Sequence, residues 1–191
     1  AARLAQLTEA PDANAKASAV NAIARDDAGY LADRARYLRN KGQRYSARQL
    51  LANRPELRVT PQKPETWFDA MLINAKAAAN DKQWSTAYNI ASKVDDAYEQ
   101  PTNIAEQNSR VRDRYSDLTW LAGNVALNNQ NRPDRAIEMF DRYARSYNSP
   151  NIRSKGYYWA GRAAAKARQN DQANAYFEKA AQFPAYFYGQ L

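Results

Sequence analysis

The stretch YYWAGRAAAKARQNDQANAYFEKAAQFP, Tyr157 to Pro184, decides the fold. Apolar residues recur in it at spacings of three and four, alanine is abundant and no strand-like alternation occurs, so it reads as helix on both sides of the polar turn QNDQ. Gly161 on the first helix precedes Ala173 on the second by twelve positions. A small residue facing a small residue lets two backbones approach closely, and Phe177, four positions after Ala173, fills the space beside them.

The same register returns upstream. Ala35 precedes Ala47 by twelve positions, Ala75 precedes Ala87 by twelve, and Gly123 precedes Ala136 by thirteen, with the extra residue assigned to the NRPD turn. Leu51 and Met139/Phe140 take the filling role of Phe177. Polar turns NKGQ, NDKQ and NQNRPD separate the helices, and Asp81 and Asp171 are the expected N-caps of the second helices. All eight prolines fall between helices or at their first turn, where proline is tolerated. The segment Pro101 to Tyr115 reads as an added helix or a long connection.

The expected fold is therefore all-α, an irregular α-solenoid or superhelix of antiparallel helix pairs that is tetratricopeptide-like in its small-residue register. It is expected to form a single domain over residues 1–191, with helix-pair repeats over 30–191 and two short Ala-rich helices, broken at Pro11, within 1–28.

Composition narrows the chemistry. The chain has 191 residues, 45% of them hydrophobic, enough for a core, and no apolar run near the roughly 18 residues of a membrane helix. No membrane insertion is expected. The start, AARLAQLTEA, lacks the basic-then-apolar layout of a signal peptide, so an exported protein would have had its signal removed. With no cysteine and no histidine, thiolate metal sites, Cys nucleophiles and imidazole proton shuttles are excluded. No phosphate loop, zinc-protease motif or nucleophile elbow is present. The acidic pairs Asp26/Asp27 and Asp95/Asp96 are adjacent and diverge on a helix, which suits no paired-carboxylate chemistry. Neither a catalytic residue, a metal site nor a cofactor is expected.

The formal charge of +8 favours polyanions such as nucleic acid, anionic lipid or a carboxylate-bearing wall polymer. Basic residues are dispersed among acidic ones rather than gathered in a block, which argues against nucleic acid as the partner. Tyr157, Trp159 and Tyr176 are expected to fill grooves between helices.

From Ser154 to Leu191 the sequence resembles the superhelical region of the soluble lytic transglycosylases, just ahead of their lysozyme-like catalytic domain. The residues that carry the resemblance are Tyr158-Trp159, Gly161-Arg162-Ala163, the helix with Ala173, Tyr176-Phe177 and Ala180-Ala181, and the closing Pro184 and Phe187-Tyr188-Gly189-Gln190-Leu191. Leu118 to Ala144 and Ala32 to Pro55 fit the pattern more loosely, and Ala185-Tyr186 stand where small hydroxylated residues are expected.

The resemblance implies a non-catalytic scaffold in the periplasm of a Gram-negative bacterium, with two partners: peptidoglycan glycan strands and a downstream catalytic domain of its own. In that family a glutamate in a Glu-Ser dipeptide cleaves the MurNAc-GlcNAc bond to 1,6-anhydro products, and no Glu-Ser dipeptide occurs here. It also suggests that Phe183, Tyr186, Phe187 and Tyr188 pack at the junction with that domain, and that Tyr158, Trp159 and Arg162 contact glycan. The alternative from the fold alone is a free-standing tetratricopeptide-like adaptor that binds a protein in its groove.

Overall fold

The computed structural model describes residues 1–20 and 25–191. The part of the N-terminal expectation that falls on residues 21–24 lies outside the described residues. Eleven α-helices, and no strand, occur among the described residues: α1 Ala2–Leu7, α2 Ala13–Ser18, α3 Ala28–Asn40, α4 Arg44–Ala52, α5 Pro64–Asn80, α6 Trp84–Ala91, α7 Ser109–Asn124, α8 Pro133–Arg145, α9 Pro150–Lys166, α10 Asn170–Ala181 and α11 Phe187–Gln190. The fold is all-helical, and successive helices pack in pairs in the manner of a helical solenoid. The chain divides into two compact units, Ala1–Pro101 and Thr102–Leu191.

Three of the turns between paired helices share one geometry. Gly42, Lys82 and Arg168 each adopt a positive φ (77°, 57° and 62°). The next residue, Gln43, Gln83 or Gln169, donates its N–H five residues back to the carbonyl of Leu38, Ala78 or Ala164 at 2.8, 2.8 and 2.9 Å. These are Schellman closures, which satisfy carbonyls that the helix end leaves without partners. Their identity explains the constant spacing of twelve.

The fourth pair differs, and its extra residue is not in the NRPD turn. It is absorbed by a π-helical segment, Val125–Asn129, that continues α7, and Arg132 N–H then reaches six residues back to the Ala126 carbonyl at 2.8 Å. Lys166 of α9 donates to the Leu127 carbonyl of this segment at 3.1 Å.

The capping expectations need a second correction. Asp81 and Asp171 cap nothing: Asp81 lies at the C-terminal end of α5 and accepts from Arg48 Nη1 at 2.6 Å, while Asp171 sits inside the first turn of α10. With a Schellman turn ahead of it, the cap position falls on the glutamine. Among the described residues the α-helices with side-chain caps are those opened by Asp27, whose Oδ1 accepts from Tyr30 N–H at 2.6 Å, and Asn108, whose Oδ1 accepts from Val111 N–H at 3.0 Å. Asn108 opens α7, so Pro101 to Tyr115 is a connection with a short 3-10 turn, Ile104–Glu106, followed by the start of a helix.

The first unit has a core that includes Leu31, Leu51, Trp67, Phe68, Met71, Ile90 and Val94, and it also buries a cation. The Arg54 side chain has no exposed surface. Its Nε lies 2.7 Å from Asp96 Oδ2, its Nη1 donates to the Leu51 carbonyl at 2.7 Å, and its guanidinium covers the Trp67 ring at 5.2 Å. Trp67 Nε1 donates to the other oxygen of Asp96 at 2.9 Å. One carboxylate thus satisfies both a buried arginine and a buried indole.

In the second unit the small positions meet aromatic rings directly. A Cβ on Gly123 would lie 2.7 Å from the Phe140 ring, and one on Gly161 would lie 2.7 Å from the Phe177 ring. At Gly156 the neighbour is backbone: a Cβ there would lie 2.7 Å from the Cα and N of Ala144 on α8. Helix α9 therefore meets α8 through one glycine and α10 through another.

Two substitutions test these contacts. In an unconstrained helix interior, Gly→Ala stabilises by about 1 kcal/mol. Gly156→Ala is instead expected to destabilise by about 1–3 kcal/mol, because the backbone of α8 must move; a raised urea midpoint would contradict the close approach. Asp96→Ala is expected to cost about 3 kcal/mol or more by leaving Arg54 buried without a counter-charge, and a loss below about 1 kcal/mol in the same assay would rule out that pairing as a determinant of stability.

Candidate functional site

Helix α9 opens with Pro150 at its first position and runs for 17 residues without another break. Its small positions (Gly156, Ala160, Gly161, Ala163, Ala164) are buried, which leaves its long side chains to the rims between neighbours. Tyr158, Trp159 and Arg162, the residues that the resemblance suggested as glycan contacts, come together there. Arg162 Nη1 donates to the Tyr158 hydroxyl at 2.9 Å, and its guanidinium lies 5.7 Å from the Tyr158 ring and 5.8 Å from the Trp159 ring.

Around them the rings form a continuous group. Trp120 of α7 lies 5.3 Å from Phe140, 4.8 Å from Tyr143 and 6.3 Å from Trp159, and Tyr158 lies 6.0 Å from Phe177. Tyr157 is buried and stacks on Tyr176 at 6.3 Å, in the groove-filling role expected of both. Trp159 is half-buried between Phe140 and Tyr158, and its buried indole Nε1–H has no acceptor among the described residues.

The four aromatic residues near Leu191 do not act as one group. Phe183 folds back against Ala144, Tyr157 and Ala180, with the Arg153 guanidinium 5.5 Å over its ring. Tyr188 packs on Tyr158 at 5.4 Å. Tyr186 and Phe187 remain exposed, Phe187 to 65%.

A cation absent from the sequence-based candidates completes the site. Lys155 lies four residues before Trp159 and seven before Arg162, so the three share one face of α9. Its ammonium sits 3.7 Å above the Trp120 ring and 5.3 Å from that of Tyr143, and burial holds its pKa below the ordinary lysine value. A Lys-x-x-x-Trp spacing was visible in the sequence, but its partner Trp120 lies 35 positions away and only the fold brings it near. Beside Lys155 opens a cleft of about 470 Å³ lined by Ser116, Asp117, Trp120, Tyr143, Tyr147 and neighbours at the start of α9.

The carboxylates are mostly engaged elsewhere. Asp26 pairs with Arg58 at 3.2 Å, Glu9 with Lys41 at 2.9 Å and Glu138 with Arg142 at 2.6 Å. Among the described residues no group of three or more Asp or Glu gathers that could hold a metal ion. The arrangement offers cations, aromatic faces and hydroxyls. No family model, characterised protein or solved structure matches this chain.

Burial raises the tyrosines of this region. Tyr143, Tyr147 and Tyr176 are pushed up to about 12, with Asp113, which accepts the Tyr147 hydroxyl, and Asp141 beside Tyr176 adding to the effect. Tyr98 of the first unit is likewise raised to about 12, by burial and then by Glu65 and Asp95. The unfolded chain ionises near 10, so their contribution to stability is complete below pH 10 and falls as pH rises toward 12. Absorbance titration at 295 nm should therefore show a late class of tyrosinates that merges with the rest in urea. A single class in the native protein would contradict the burial.

Proposed function

We propose that this chain is the non-catalytic helical scaffold of a periplasmic lytic transglycosylase of a Gram-negative bacterium. Its superhelix, tetratricopeptide-like in its helix pairs, would hold a catalytic domain that cleaves the MurNAc-GlcNAc bond of peptidoglycan to 1,6-anhydro products, and would orient the glycan strand. The observation that carries this reading is the face of α9 with Lys155, Trp159 and Arg162 in a row, flanked by Tyr158 and Trp120. Alternating cations and rings suit a polymer of sugar rings that bears regularly spaced carboxylates.

The resemblance of the Tyr158-Trp159, Gly161-Arg162-Ala163 segment and of the Phe187-to-Leu191 segment to that family supports the same reading. So does the net charge of +8, since exposed charges attract a polyanion over a Debye length of about 8–10 Å at ordinary salt. The exposed Tyr186 and Phe187 are surfaces the catalytic domain would cover.

Co-sedimentation with purified sacculi tests the reading. Binding is expected to be weak at physiological salt, to strengthen several-fold at low salt, and to release no soluble 1,6-anhydro products. Absence of binding at low salt would refute the wall reading and leave the adaptor in its place.

A further inference from the structure

The proposed wall reading uses Lys155 and Trp120 only as part of a basic and aromatic face, and the physical chemistry of the cleft they line is more specific. Lys155 is half-buried, and its ammonium makes no hydrogen bond or ion pair among the described residues. Its contacts are the π faces of Trp120 and Tyr143. A cation partly withdrawn from water, with ring faces as its protein contacts, gains from an anion that enters beside it, because a charge-assisted hydrogen bond is about twice as strong as a neutral one.

The remaining walls limit what that anion can be. The cleft, about 470 Å³, can seat one small unit. Trp120, Tyr143 and Ile152 supply apolar wall for a carbon skeleton, while Ser149, whose side chain makes no capping bond, and Asn151 line the rim with polar groups. Asp117 also lines it, and its negative charge opposes a second negative charge on the ligand. A phosphate dianion is therefore disfavoured relative to a single carboxylate.

We propose that the cleft between α7, α8 and α9 binds one carboxylate carried on a small unit with a carbon skeleton, with Lys155 as its cation and Trp120 as its apolar wall. In the wall polymer two units have this chemistry, the lactyl-bearing amino sugar and the end of a peptide stem. This assignment deepens the wall reading by naming what its basic and aromatic face would recognise, and it rests on that reading for the source of the ligand.

The test is NMR titration of the full chain with N-acetylmuramic acid, N-acetylglucosamine, D-alanyl-D-alanine and inorganic phosphate at low salt. N-acetylmuramic acid or the dipeptide should shift the Trp120 indole N–H and the Lys155 side-chain signals at millimolar concentration, and which of the two does so identifies the source. N-acetylglucosamine and phosphate should leave these signals in place. Lys155→Met should weaken binding at least tenfold, whereas Lys155→Arg should hold it within about threefold, with urea midpoints confirming that both variants fold.

Equal shifts from the neutral sugar, binding unchanged in Lys155→Met, or no shift from either carboxylate would overturn the assignment. The two readings fail separately. Sacculus binding that survives Lys155→Met while small carboxylates do not bind removes the cleft alone. Small-carboxylate binding at Lys155 without sacculus binding keeps the cleft and removes the wall.

Discussion

At Gly156 the backbones of α8 and α9 are too close for even one methyl group between them, since a Cβ there would fall 2.7 Å from the backbone of Ala144. Five residues on, Gly161 admits the Phe177 ring of α10 in the same way. An α-helix turns about 100° per residue, so the two glycines face different neighbours, and one helix is held between two others through two points without side chains. With its interior so occupied, α9 carries its long side chains at the rims. Lys155, Trp159 and Arg162 stand in a row because the opposite positions are small.

The first unit is held by a different device. There a single carboxylate, Asp96, accepts from both Arg54 and the Trp67 indole, in a core otherwise filled by aliphatic and aromatic side chains. A buried ion pair stabilises little against an apolar replacement of the same shape, but it fixes geometry, because any rearrangement that separates the partners leaves a charge without solvent or partner. Close backbone approach in one unit and a shared carboxylate in the other both make the helix register specific.

Much of this was legible in the chain itself. The spacing of twelve between Ala35 and Ala47, Ala75 and Ala87, and Gly161 and Ala173 marks helix pairs because each reflects the same Schellman turn. The spacing of thirteen at Gly123 marks an insertion, yet sequence could not locate it. A π segment hides an extra residue inside a helix without any turn residue to signal it. The caps misled for a related reason: Asp81 and Asp171 have the right side chain, but a residue in the left-handed conformation in each turn, Lys82 or Arg168, puts the cap on the glutamine that follows it. At the candidate site, Tyr158, Trp159 and Arg162 share a helix and so could be grouped by spacing. Trp120 and Tyr143 reach Lys155 from other helices, and no local pattern records that.

The proposal that α9 meets the wall polymer is tested most directly by hydrogen–deuterium exchange with and without purified sacculi. Slowed exchange is expected in peptides around Lys155 to Arg162 and in the facing segment around Trp120, with the helices of the first unit unchanged. Slowing confined to the first unit, or no change anywhere under conditions where the chain sediments with sacculi, would contradict it.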